Sequence, residues 1–244
     1  MPSESGDKKL IGNFRKLIDE VSAEPAYNPA NTKLKVTRLE PQHVAGDAAA
    51  NSVGSASALN KLAITDRETA FSQLRPLAVR SRNFLKASGA PKGVVDDAET
   101  YIRKLSGGRK SPKIKDDPNT PEDESQGSVS ASQMSYDNQV GNFLSYIEIV
   151  RNVVAYNPNE ADLKVTALSA FAASLTDKSN AVSTTSAALN QARGQRDQLL
   201  YLADDSIVNT GLLVKAYVQA ALGSQSQLYK KIKGLKFSRS NKGS

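Results

Sequence analysis

The chain has no cysteine, no tryptophan and one histidine, and aromatic residues make up only 6% of its 244 positions. The absence of cysteine excludes disulfides, thiolate metal sites and cysteine nucleophiles, and it fits a reducing compartment. A single imidazole, His43, excludes the usual Cys/His zinc sites. It also cannot supply the Glu-x-x-His pair that di-iron bundles need on each of two helices. No apolar stretch approaches the roughly 18 residues of a membrane span; the longest, around 167–175, is interrupted by serine. The first residues lack the apolar core of a secretory signal, and no Asn-x-Ser/Thr sequon occurs. These features together predict a soluble, cytoplasmic protein without a cofactor.

Acidic residues are missing from one region in particular. The formal charge is +7, and no Asp or Glu occurs from Ser206 to Ser244, where Lys215, Lys230, Lys231, Lys233, Lys236, Arg239 and Lys242 all fall. That stretch therefore carries the entire net charge. What the chain does have is alanine and serine, which suit close helix-to-helix approach, and a repeat. Ala26-Tyr27-Asn28-Pro29 returns as Ala155-Tyr156-Asn157-Pro158, and Leu34-Lys35-Val36-Thr37 returns as Leu163-Lys164-Val165-Thr166. The offset is 129, and it carries Phe14, Ile18 and Val21 onto Phe143, Ile147 and Val150. Ala58-Leu59-Asn60 matches Ala188-Leu189-Asn190 one residue out of step, and Leu105 and Gly107 match Ile232 and Gly234 two residues the other way. Small register changes of that kind are what loop insertions between helices produce.

The fold class this predicts is all-α, with two tandem copies of a helical-hairpin unit packed as a pseudo-symmetric bundle. Each copy has a short helix, two long antiparallel helices and a short C-terminal helix. Two independent domains are the other arrangement. In the second copy, Phe143, Ile147, Val150 and Val154 mark a first helix over 138–155. Asn-Pro then stops it, with Ser135 or Asp137 as the cap at its start. Leu168, Leu175, Val182 and Leu189 recur every seven residues along a second helix, 160–192. Leu200, Ile207, Val214 and Ala221 do so along a third, 195–222. Consecutive heptad helices imply an antiparallel hairpin. Gly223 ends the third, and 225–232 forms a short fourth. In the first copy, Pro41, Gly46 and Gly54 predict a kinked or split second helix, followed by a third over 67–88. The expected organisation is a disordered N-terminus (1–9), helical repeat 1 (10–105), a disordered charged linker (106–135), helical repeat 2 (136–237) and a basic disordered tail (238–244).

Several segments resemble a family of duplicated all-helical proteins from Bacteroidota to which no activity is assigned. They are Ser132 to Asn138 leading into Asn142-Phe143, Tyr156-Asn157-Pro158-Asn159-Glu160, the Ala-Leu-Asn-x-Ala-Arg run at 188–193, and Tyr229 to Phe237. The similarity is strongest over the second copy. It implies the duplication and a bacterial origin, and it implies no activity.

No catalytic signature emerges. His43 reads as a surface or satisfied core residue. Ser106-Gly107-Gly108-Arg109-Lys110-Ser111 lacks the spacing of a phosphate loop. The pairs Asp96-Asp97 and Asp204-Asp205 are expected on helices, where neighbours point about 100° apart and form no two-carboxylate site. Tyr27 and Tyr156 read either as packing residues of the Asn-Pro corners or as symmetry-related loop contacts to a partner. Lys230, Lys231, Lys233, Lys236 and Arg239, interleaved with Tyr229 and Phe237, form the candidate anion-binding end, in which an aromatic could stack on a base. The functional expectation is a non-enzymatic helical scaffold or protein-interaction module with a protein partner. The alternative is binding of nucleic acid or another polyanion through the basic ends of the repeats.

Overall fold

A computed structural model describes residues 4–106 and 134–238. Residues 1–3, 107–133 and 239–244 lie outside the described residues, and with them most of the expected linker, Arg239 and the rest of the expected tail. Among the described residues all regular structure is helical. The helices are α1 (Glu4–Ser22), α2 (Val36–Ser72), α3 (Leu74–Ala87), α4 (Lys92–Leu105), α5 (Tyr136–Arg151), α6 (Val165–Asp197), α7 (Ile207–Leu222) and α8 (Gln227–Ile232). Two 3-10 turns, Thr32–Leu34 and Ala161–Leu163, precede the long helices, and a π-helical turn, Gln198–Leu202, follows α6.

The chain divides into two compact units that do not coincide with the expected domains 10–105 and 136–237. Unit 1 combines Met1–Asn60 with Thr185–Ser244, and unit 2 is Lys61–Thr184. Both boundaries fall inside long helices, so α2 and α6 each contribute one part to each unit.

In unit 1, α1 packs against α7 and α8. Its buried face is Leu10, Ile11, Phe14, Leu17, Ile18 and Val21, at helical spacing. The opposing residues include Leu200, Ile207, Val214, Val218, Leu228 and Ile232. Contrary to the expected disorder over residues 1–9, α1 is helical from Glu4. Asp7 accounts for this: in the first turn, where an acid complements the helix dipole, it is buried and paired with Arg196 and Tyr201.

In unit 2, α4 packs between α3 and α5. The core joins Leu74, Ala78 and Leu85 of α3 to Val95, Ala98 and Ile102 of α4 and to Phe143, Tyr146, Ile147 and Val150 of α5. Ser135 caps α5, its hydroxyl accepting from the Asn138 amide. The helix ends at Arg151, and Val154, expected on its apolar face, is instead fully solvent-facing at 99% exposure.

Three expected helix boundaries are corrected. First, of the kinked or split helix expected, the split does not occur: α2 runs 37 residues through Pro41, Gly46 and Gly54. Next to Pro41, Gln42 donates to the Asp205 carbonyl and to Thr210. Gly46 lets Ile207 come close, since a Cβ there would stand 2.5 Å from its Cδ1. Side-chain anchoring beside Pro41 and close approach at Gly46 thus offset the intrinsic cost of those two residues, while Gly54 faces open space. Second, α2 reaches Ser72 before the break at Gln73. Pro76 falls in the first turn of α3, where its missing N–H has no intrahelical partner to lose. Third, the break expected near 193–195 comes ten residues later. α6 continues through the π turn to Leu202, so Asp204 and Asp205 lie in the connection and not on a helix. Ser206 then caps α7, accepting from the Asn209 amide.

The expected hairpin of consecutive long helices does not form either, because α7 packs on α1 and α8. The long helices instead pair with each other. In unit 1, Val53 contacts Leu189 and Ala192, and the Asn60 Oδ1 accepts from Thr185 and Ser186 at 3.0 and 2.9 Å. As numbering rises along α2 it falls along α6, so the two are antiparallel there. In unit 2, Lys178 of α6 pairs with Asp66 of α2 at 3.1 Å.

Candidate functional site

The basic end is built on α8, a short helix capped by the Ser226 hydroxyl. Lys230, Lys231, Lys233 and Lys236 are all exposed. Among the described residues Lys231 alone of the four is ion-paired, to Glu20 at 2.8 Å. The segment after α8 is strapped down through its backbone. Lys215 donates to the carbonyls of Lys233 and Leu235, at 2.8 and 3.0 Å, and Asn13 donates to that of Lys236. A lysine on the last carbonyls of a helix is a favourable cap.

The interleaved aromatics are not available for base stacking. Phe237 is buried at 6% exposure and stands edge-on to Phe14 with centroids 6.3 Å apart. Tyr229 is half-buried, and its hydroxyl donates to Gln219. Their apolar surface stabilises unit 1 more than an exposed platform would.

Tyr27 and Tyr156 close their corners from within. The Tyr27 hydroxyl donates to the Leu34 carbonyl at 2.6 Å, and the Tyr156 hydroxyl donates to the Leu163 carbonyl at 2.8 Å. Each ring meets another aromatic edge-to-face, Tyr27 with Tyr217 and Tyr156 with Phe84. Tyr156 is buried, as the packing reading of its corner requires. Burial pushes both phenols above their ordinary range.

Two buried polar clusters escaped sequence reasoning. In unit 1, Arg196 pairs with Asp7 at 3.0 Å and with Asp197 at 2.8 Å, while the Tyr201 hydroxyl donates to Asp7. Burial works against the guanidinium charge, but the Asp197 hydrogen bond and the charges of Asp7 and Asp197 outweigh it and hold Arg196 above its usual range. Burial and the neighbouring Asp7 push the Tyr201 phenol up. In unit 2, Ser81 lies 2.6 Å from the hydroxyls of both Tyr146 and Tyr156. Each hydroxyl has one proton. Since Tyr156 donates to Leu163, Ser81 must donate to Tyr156 and Tyr146 to Ser81, so the chain of hydrogen bonds has one direction. Burial, only partly countered by Ser81, raises the Tyr146 phenol. The available signal was a tyrosine and a serine on otherwise apolar helix faces; nothing in the spacing could pair them.

Unit 1 also carries an open groove of about 510 Å³ between α2 and the end of α6, lined by Ala45, Ala48, Ala49, Ser52, Gln195 and Leu199. A recess of about 270 Å³ adjoins it, sharing Ala45 and Leu199 and bordered by Arg38 and Asp205. Val44 and Leu202, on the same two elements, are exposed at 63% and 53%. His43 is half-buried, and Asp96 and Asp97 are exposed on α4. Among the described residues no three His, Asp or Glu side chains cluster in a way that could hold a metal, and no helix is long and apolar enough to cross a membrane.

By its fold this is an all-helical protein. No protein-family model matches the chain, no curated protein matches it, and no solved structure matches it.

Proposed function

We propose that the chain is a tandem duplication whose copies exchange their C-terminal arms, and that it works as a non-enzymatic helical scaffold that binds a protein partner. Several correspondences support the duplication. Ile207, Gly211, Val214 and Val218 on the buried face of α7 stand at an offset of 133 from Leu74, Ala78, Ser81 and Leu85 on that of α3. The same offsets relate the ring pair Tyr27–Tyr217 to Tyr156–Phe84. They also relate Arg196 beside Asp7 to Arg67, whose guanidinium lies 4.0 Å over the Tyr136 ring. In this reading α1 of the first copy packs on the α7–α8 arm of the second, and α5 of the second packs on the α3–α4 arm of the first.

The alanine-lined groove carries the scaffold reading. Its small side chains leave room for apolar knobs from a partner helix, as helix-in-groove recognition requires, and Leu199 is 37% exposed beside them. Ala48 is exposed, so Ala48→Arg is expected to leave the melting temperature within about 2 °C of native while weakening a partner isolated with the intact protein by at least about tenfold. Calorimetric titration of that partner against both forms decides it. Equal affinity for the variant sinks the groove as the working surface.

A second reading is favoured by one observation: Lys230, Lys233 and Lys236 present exposed ammonium groups. They could bind a nucleic acid or another polyanion. With three or four ammonium groups on a single strand, log K should fall with log salt at a slope of about −2 to −3. Gel-shift titrations across salt, with Lys230→Ala/Lys233→Ala/Lys236→Ala as the comparison, test this. The point variants are preferable to truncation at 229, which would remove Ile232 and Phe237 from the core. Binding that is insensitive to salt, or unchanged in the variant, removes the reading.

A further inference from the structure

We infer that the buried hydroxyl chain Tyr146–Ser81–Tyr156 is a pairing key, which makes α5 compatible with the α3–α4 arm and incompatible with α7–α8. The inference rests on the duplication proposed above. At the equivalent positions unit 1 has Leu17 for Tyr146 and Val214 for Ser81, both fully buried and both in its apolar core. Two first helices and two arms admit two pairings, the observed one and one in which each copy's first helix meets its own arm, within a chain or between two chains. In the second pairing Tyr146 would bring its phenol against Val214, with no partner for the proton that Ser81 now accepts. Leu17 would meanwhile face Ser81 and withdraw that donor from the serine oxygen.

An unpaired buried hydroxyl disfavours its state on the order of tenfold to a hundredfold. A phenol in a site shaped for leucine adds overpacking. Tyr27 and Tyr156 both satisfy themselves on their own corner carbonyls in either pairing, so discrimination falls on the 146–81 contact. A single buried polar contact that selects partners at some cost in stability is a known use of such groups.

The test uses the full chain with Ser81→Val/Tyr146→Leu, which gives unit 2 the residue types of unit 1. Refolded from denaturant at matched protein concentration, this variant is expected to stay helical but to raise the fraction of dimers and larger species by about tenfold, read by light scattering on a sizing column. Adding Leu17→Tyr/Val214→Ser moves the key to unit 1 and should restore a single species. Refolding of Ser81→Val/Tyr146→Leu to one species in native yield overturns the inference and leaves the duplication standing. Absence of coupling between Leu17→Ala and Val214→Ala in a double-mutant cycle shows that positions 17 and 214 do not face one another, and so sinks the duplication instead. If the bulk-changing variant does not fold, Ser81→Ala/Tyr146→Phe takes its place with the same expectation. Failure of that pair to fold also overturns the inference, since the hydroxyls would then be required for stability and not for selection.

Discussion

Phe237→Ala is expected to destabilise the protein by about 3–5 kcal/mol, the usual cost of emptying a buried phenylalanine site. Phe237 lies beyond the last helix, among the lysines of the candidate anion-binding end, yet it is among the buried core residues of unit 1. Its ring stands edge-on to Phe14 and rests against Gly211, where a Cβ would come within 2.6 Å of it. That glycine is the complement of the ring: removing the ring leaves a void that α7 has no side chain to fill. For a chain of this length, 1 kcal/mol corresponds to about 2–4 °C, so thermal denaturation followed by circular dichroism should show a fall on the order of 10 °C. Lys236→Ala, next to it but exposed, should stay within about 2 °C. Equal, small shifts for the two variants would mean that the segment is not docked as described.

Arg196→Met should cost about 3–5 kcal/mol, because it leaves the Asp7 carboxylate buried without its cation. The guanidinium has only 9% of its side chain exposed, as does Asp7, so solvent cannot replace the lost partner. The Tyr201 hydroxyl would remain on Asp7, but a phenol does not neutralise a charge. The double variant Arg196→Met/Asp7→Asn removes both charges and should recover at least half of the loss, since a buried pair replaced as a whole is often nearly neutral. Urea denaturation of the two singles and the double gives the coupling. Additive losses would show that the two residues do not act as a pair.

The helical class was legible because periodicity reports which residues of a helix share a face, and the corners were legible because Asn-Pro and Gly punctuate the backbone locally. Gly223, at φ +85°, and the Ser135 cap follow from local chemistry of that kind. Partnership was not legible. The heptad line Leu168, Leu175, Val182, Leu189 is buried as its period implies, but a period does not say which helix covers it. Consecutive heptads suggested a hairpin with the next helix, whereas Leu168 and Leu175 share a core with α3, α4 and α5, and Leu189 meets Val53 of α2. Val154 continued a numerical series past the residue where its helix had ended. Pro41 and Gly46 looked like breakers because propensity sees only the isolated helix, and their compensation lies in contacts with residues some 160 positions away. The Asp7 cluster was invisible for the same reason: a charged residue near a terminus is ordinarily solvated, and only the arrival of Arg196 makes its burial affordable.

The make-up of the two units has a consequence for the order in which the protein can be built. Unit 2 is one continuous stretch, Lys61–Thr184, so all of its helices have been synthesised before any of α7 exists. Unit 1 is discontinuous. Its first helix leaves the ribosome early with Phe14, Leu17 and Ile18 needing cover, and that cover comes from α7, α8 and Phe237 at the far end of the chain. At ordinary elongation rates of about 5–20 residues per second, α1 waits on the order of ten seconds or more with its apolar face unburied. Unit 2 can therefore close before unit 1, whose closure carries the high sequence separation that slows folding. The vulnerable interval for aggregation belongs to α1.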